Sequence, residues 1–299
     1  MMKLVLDPYY EELGFLVAQR GGFPVINVEY KEFPDGEMYL RIVDSVENED
    51  IAIVMSGYPY QDRAILRAEL YVGTLKDLGA RNVYLIFSYL PYARQDKRFL
   101  SGECITAKEI IKHMIYAGAD EVITLDVHSE DVYKVFGSKF KNLKSKTLWV
   151  NYARKYGDDI FFVSPDKGRE NVIKEIAQEV GAPYISFYKE RDLKTGKIVK
   201  IVPEDERKLI ELAEHKKVAF LFDDIISTGG TASRVVKALR KFFRKKVITA
   251  FTHGLFLRGS VRKLLDAKTD IIVATNTVRN IFAFVDASEV FVRYLRSKS

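Results

Sequence analysis

Short runs of β-branched and aliphatic residues alternate along the chain with longer stretches whose apolar residues recur at helical spacing. The runs Ile51–Met55, Val83–Phe87, Glu121–Leu125, Ile160–Val163, Val218–Phe222, Val247–Phe251 and Ile271–Ala274 predict strands. Amphipathic periodicity predicts helices over Arg63–Leu78, Thr106–Tyr116, Asn171–Glu179, Glu204–Glu214, Ser233–Phe243 and Ser260–Leu265. The opening, Met2–Val28, predicts a short strand, a helix and another strand. Such alternation is the signature of an α/β protein with mostly parallel sheets flanked by helices.

The order of elements repeats. Strand, helix, strand, helix, strand over Ile51–Leu125 is echoed over Val218–Ala274, and in each series the last strand runs into a Thr-containing segment, TLDVHS or ATNTV. The simplest account is two similar α/β domains, 1–145 and 146–299, joined near residues 141–152.

Composition narrows the class. At 299 residues and 47% hydrophobic, the chain is too apolar for disorder and long enough for two cores. No apolar run reaches the ~18 residues of a membrane span. The N-terminus lacks the pattern of a secretory signal, and Cys104 is the single cysteine, which excludes a disulfide framework or a cysteine zinc cluster. The expectation is a soluble, cytoplasmic protein with no membrane partner. The net charge of +6 suits phosphorylated ligands without requiring nucleic acid. The densest basic run, Lys237–Lys246, has apolar residues at helical spacing and predicts an amphipathic helix with a solvated face, not a nucleic-acid patch.

The strongest chemical signal is VAFLFDDIISTGGTA, Val218–Ala232. A buried strand ends in two acids, and a Ser-Thr-Gly-Gly-Thr loop then opens a helix. Glycines let successive backbone N–H groups point into one concavity, and the helix N-terminus adds positive dipole there. Ser227, Thr228, Gly229, Gly230 and Thr231 therefore form a candidate phosphate cradle, while Asp223 and Asp224 can accept hydrogen bonds from a vicinal diol. A phosphate beside a diol describes a ribose phosphate. Neither G-x-x-x-x-G-K-[ST] nor G-x-G-x-x-G occurs, so P-loop and dinucleotide-binding readings lose their main support.

This loop resembles that of the type I phosphoribosyltransferase-like fold. Further motifs narrow the resemblance to the ribose-phosphate pyrophosphokinases (phosphoribosyl pyrophosphate synthetases), of the archaeal type: FPDGE at Phe33–Glu37, YLPYARQDKRF at Tyr89–Phe99, ITAKEI at Ile105–Ile110, TLDVHS at Thr124–Ser129, VSPDKGR at Val163–Arg169, and Lys189-Glu190-Arg191. They occur in the family's order over nearly the whole chain. The resemblance implies two phosphoribosyltransferase-like domains and transfer of a pyrophosphoryl group from MgATP to the C1 hydroxyl of ribose 5-phosphate, for nucleotide biosynthesis. It assigns ATP to Asp35, Gly36, Glu37, Arg94 and Gln95, with the first three reaching a neighbouring subunit's nucleotide, so a homodimer at least. His128 and Asp166 become ligands of Mg²⁺. Lys189 and Arg191 become the catalytic pair, with Arg191 also holding ribose 5-phosphate beside Asp223, Asp224 and Ser227–Thr231. Residues 97–104 fall where the family has a flexible flap, with FLSGEC in place of a more basic and polar stretch. Ser227 stands where many members carry Asp, and acids that some members carry downstream of the histidine are Gly137 and Lys141 here. Two alternatives stand beside this reading. A phosphoribosyltransferase explains DDIISTGGT but not FPDGE or YARQD, and a non-catalytic regulatory relative would show broken positions at His128, Asp166, Lys189 or Arg191, all of which are present.

Overall fold

The computed structural model describes residues 1–191 and 198–298, except for the side chains at 189–191 and 198–200. The chain divides into two compact units, the first comprising Met1–Lys144, Thr277–Arg279 and the chain from Ala287 onward, the second Ser145–Asn276 and Asn280–Asp286.

In the first unit β1 (Met2–Leu6), α1 (Glu11–Gly21), the hairpin β2 (Val28–Glu32) and β3 (Met38–Ile42), β4 (Asp50–Met55), α2 (Gln61–Asp77), β5 (Asn82–Phe87), α3 (Thr106–Tyr116), β6 (Glu121–Leu125) and β7 (Phe140–Leu143) follow in order. The main sheet runs β1-β4-β5-β6-β7, parallel throughout, and β2–β3 form a separate antiparallel ribbon. Every residue of β4 and β6 is buried, because helices cover both faces of a parallel sheet and leave no solvent side to favour alternation. On α2, Ala64, Ala68, Tyr71, Val72 and Leu75 form one apolar stripe, which closes on Ile51, Ile53, Val83 and Leu85. On the same helix, Arg67 is 2% exposed and forms a two-pronged ion pair with the fully buried Asp7, its Nη2 donating to Oδ2 over 2.9 Å.

The second unit holds α4 (Lys146–Ala153), β8 (Ile160–Ser164), α5 (Glu170–Val180), β9 (Tyr184–Arg191), β10 (Ile198–Pro203), α6 (Glu206–His215), β11 (Val218–Ile226), α7 (Gly230–Leu239), β12 (Lys246–Gly254), α8 (Ser260–Asp266), β13 (Ile271–Thr275) and β14 (Ala283–Val285). Its sheet runs β10-β9-β8-β11-β12-β13-β14, with β9 and β10 antiparallel and the other pairs parallel. Phe161, Leu221 and Phe251 meet Val235, Leu239 and Phe243 in its core. The fully buried Trp149 of α4 packs against Phe222, with ring centroids 5.2 Å apart.

The last helix, α9 (Ser288–Arg296), belongs to the first unit. It packs on α1 through Phe291, Val292 and Leu295, and Lys298 just beyond it pairs with Glu121 at 2.8 Å. Ser88 Oγ donates to the Thr277 carbonyl over 2.7 Å, fastening the short returning segment to the end of β5.

The repetition expected from the sequence is present as topology. The order β1-β4-β5-β6-β7 has its counterpart in β8-β11-β12-β13-β14, and an antiparallel hairpin follows the first strand of each set, β2–β3 in one and β9–β10 in the other. β7 and α4 occupy the 141–152 join, and the first unit gives way to the second at Lys144–Ser145 within it. Two local expectations are corrected. The strand expected before Val28 reduces to a single bridge, Leu4 to Val25. The basic run is helical only to Leu239: Arg240 turns away to the Lys268 carbonyl and Asp270, and Lys245 Nζ donates to the carbonyls of Ala213, Glu214 and Lys216 at 2.9–3.1 Å. Those carbonyls are the unpaired C-terminal acceptors of α6, so part of this charge serves as a helix cap.

Replacing Arg67 with Met should destabilise the protein by about 3–5 kcal/mol in denaturant unfolding, because Asp7 would be left buried without its counter-charge.

Candidate active site

β11 continues past the expected end at Phe222, through both acids to Ile226, with Asp223 opposite Phe251 and Ile225 opposite His253 on β12. Successive side chains of a strand point to opposite faces, so Asp224 is buried and Asp223 partly open. Two adjacent carboxylates in such a place need a cation, and Arg169 provides one from the residue preceding α5. Its Nη2 donates to Asp224 Oδ2, and its Nε lies 3.8 Å from Asp223 Oδ1. The Asp223 carboxyl is nevertheless pushed well above the usual carboxylate range, first by burial and then by the charge of Asp224. Arg169 lies inside the VSPDKGR motif, but nothing in its neighbouring residues marks a role for it, because its partners are 54–55 positions away.

The loop after β11 is held from outside. The Ile226 carbonyl accepts from the Leu255 N–H at 3.0 Å, that of Ser227 from the Leu257 N–H at 3.1 Å, and that of Thr228 from Lys263 Nζ at 3.0 Å. With these carbonyls drawn toward the 255–263 segment, the amides at the start of α7 lie where a helix has no internal acceptors for them. Gly229 makes the turn at φ +71°, and a Cβ there would lie 3.0 Å from the Ser260 carbonyl oxygen, so both conformation and space call for glycine. The first amides of α7 are thus left beside the two acids without helical acceptors, an arrangement that can receive an anion.

Asp166 follows β8 in a turn of its own: its Oδ1 accepts the Gly168 N–H at 3.1 Å and its carbonyl the Ser164 hydroxyl at 2.8 Å. Lys189 and Arg191 lie on β9, paired across the ribbon with Ile201 and Ile198, and their side chains fall outside the described residues.

In the first unit Phe33–Glu37 joins β2 to β3 as an exposed turn. Gly36 takes φ +93°, and Asp35 Oδ1 accepts the Glu37 N–H at 3.1 Å. Arg94 is exposed beyond β5, and Gln95 is half-buried, its carbonyl accepting the Ala107 N–H at 3.2 Å and so tying the loop to α3. Residues 98–103 fold upon themselves. The Glu103 carboxylate accepts the N–H groups of Phe99 and Leu100 at 2.7 and 3.0 Å, which hold it below the usual range, and Arg98 Nε donates to the Glu103 carbonyl at 2.8 Å. After β6, Asp126 adopts φ +43°, a left-handed conformation uncommon outside glycine, and His128 is exposed. Among the described residues no group of three or more His, Cys, Asp or Glu side chains is placed to hold a metal ion. Mg²⁺ takes few protein ligands and draws the rest from water and phosphate, and the side chains of His128 and Asp166 carry the nitrogen and oxygen donors it accepts.

The sequence profile of the N-terminal domain of ribose phosphate pyrophosphokinase matches residues 2–118. Ribose-phosphate pyrophosphokinase of Sulfurisphaera tokodaii is 36% identical, covering 85% of this chain and 86% of the relative. Those of Sulfolobus acidocaldarius and Methanobrevibacter smithii are each 32% identical, over 95% and 96% of this chain. The fold matches phosphoribosylpyrophosphate synthetase from Mycobacterium smegmatis at a TM-score of 0.88, with 24% identity, over 99% of this chain and 98% of that one. With relatives this similar over nearly its whole length, the chain belongs to the ribose-phosphate pyrophosphokinase family.

Proposed function

We propose that this protein transfers the pyrophosphoryl group of MgATP to the C1 hydroxyl of ribose 5-phosphate, giving 5-phosphoribosyl 1-pyrophosphate and AMP in the cytoplasm. The observation that carries this reading is the β11–α7 junction, where an anion cradle and two acids bound to one guanidinium lie side by side. The 5-phosphate rests on the amides of Ser227–Thr231, with Asp223 and Asp224 accepting from the ribose hydroxyls and Arg191 steadying the sugar phosphate. Residues 146–299 thus carry the sugar, and residues 1–145 bring ATP through Asp35, Gly36, Glu37, Arg94 and Gln95. The exposed Phe33–Glu37 turn suits a contact with a second copy's nucleotide, so the working unit is a homodimer at least.

The reaction leaves the protein little covalent work. The C1 hydroxyl attacks the β-phosphorus in line and AMP departs, so the rate comes from positioning and charge neutralisation. Lys189 neutralises charge building on the transferring and leaving oxygens. Mg²⁺, when bound, supplies further neutralisation on the ATP phosphates, and His128 and Asp166 are the side chains that would hold it.

With ATP, Mg²⁺ and ribose 5-phosphate, AMP should form only when the sugar phosphate is present, and Lys189→Ala should lower turnover by about 100-fold. ADP as the product would overturn the mechanism. Gly229→Ala should raise the KM for ribose 5-phosphate by about tenfold or more and cost about 1–2 kcal/mol of stability. The raised Asp223 pKa sets a sign for pH dependence. The ionised acceptor is present above that pKa and lost as pH falls through it, so the KM for ribose 5-phosphate rises on the acid side before pH reaches the ~4 of an ordinary aspartate. Comparison with Asp223→Asn, which lacks this titration, separates it from protonation of the sugar phosphate.

A further inference from the structure

The β2–β3 ribbon forms a two-stranded sheet of its own, not hydrogen-bonded as a strand of the five-stranded sheet beside it. An isolated ribbon of this kind is marginal, and its orientation depends on what its side chains touch. Val28 and Leu40 seat its base on the core. The turn at its far end is exposed throughout, and its own bonds, Phe33 N–H to the Glu37 carbonyl and Gly36 N–H to the Phe33 carbonyl, each 2.8 Å, fix the shape of the turn but not its direction.

Direction comes from α2. Arg63 and Arg67 stand one helical turn apart on that helix. Arg67 is locked to buried Asp7, and the ring of Tyr9 lies 4.2 Å from its guanidinium carbon. The Tyr9 hydroxyl donates to Glu32 and meets the Tyr30 hydroxyl at 3.2 Å. Glu32, the last residue of β2, also pairs with Arg63 at 2.9 Å, and Arg63 Nη2 donates to the Gly36 carbonyl at 3.3 Å. A continuous chain of contacts therefore runs from a buried ion pair, through an aromatic ring and a carboxylate, to the backbone of the turn. A lone exposed ion pair would contribute little, but this one shares its carboxylate with two tyrosines and is backed by a buried anchor.

We propose that Arg63 is a positioning residue for the nucleotide, holding the Phe33–Glu37 turn, with Glu32 and Tyr9, in the orientation that Asp35 and Glu37 need to meet ATP. The inference rests on the reading of Asp35 and Glu37 as ATP contacts. Arg63 itself need not touch the nucleotide, so its loss should appear in nucleotide affinity and not in the chemical step.

The test uses the full-length protein, with ATP binding measured directly at equilibrium and steady-state kinetics measured for both substrates. Arg63→Met should weaken ATP binding and raise the KM for ATP by about tenfold, the scale of one lost charge-assisted contact. Its kcat and its KM for ribose 5-phosphate should stay within about twofold of the parent, on the same reasoning. Arg63→Lys, which keeps the charge but not the guanidinium Nη2 that meets both Glu32 and the Gly36 carbonyl, should recover part of the loss. Tyr9→Phe keeps the ring against Arg67 and should give a smaller shift in the same direction. Unchanged ATP binding in Arg63→Met alongside weakened binding in Asp35→Ala overturns this inference alone. Unchanged binding in both overturns the assignment of the turn to ATP, and the inference with it. Equal increases in both KM values with a lowered melting temperature would mean a merely structural role, and would overturn it as well.

Discussion

Parallel pairing sends every strand of a sheet toward the same edge, and in each unit of this protein that edge is where the polar motifs collect. Asp7 follows β1, the YLPYARQ segment follows β5, and Asp126 and His128 follow β6, while Asp166 follows β8 and the acids and cradle end β11. The strands themselves are free to be apolar along their length, since helices cover both faces. These polar motifs therefore fall at or just beyond strand ends that the sheet fixes in space.

Confining polar groups to a largely buried edge creates a charge problem, and the structure answers it with arginine. Arg67 neutralises Asp7, and Arg169 serves Asp223 and Asp224 together. The planar fork of arginine suits carboxylates that must be held in orientation as well as neutralised. At β11 burial and the charge of Asp224 hold the Asp223 carboxyl well above the usual carboxylate range despite its neighbour Arg169.

The two units share a strand order and use it differently. Each has a hairpin after its first strand, one ending in the Phe33–Glu37 turn and the other carrying Lys189 and Arg191 on β9. In the second unit the hairpin extends the main sheet through pairing of β9 with β8. In the first it stands apart and is oriented by side chains from α2, so a duplicated topology yields one strand-borne and one side-chain-braced platform.

The sequence by itself determined the central strands, most helices to within a few residues, and the duplication, because burial on two faces and helical periodicity are properties of neighbouring residues. It also marked the β11 loop, where glycine spacing and paired acids lie within one short stretch. It misjudged Lys237–Lys246, since the carbonyls that capture Lys245 and the acceptors of Arg240 come from elsewhere in the chain. Arg169 went unassigned for the same reason, its carboxylates being contributed by a strand far along the chain. The amphipathic pattern of Ser288–Arg296 can say that a helix buries Phe291 and Leu295, but not that it does so on α1. Tertiary structure alone decided these pairings, because a charge or an apolar face carries no record in its local sequence of which distant surface will satisfy it.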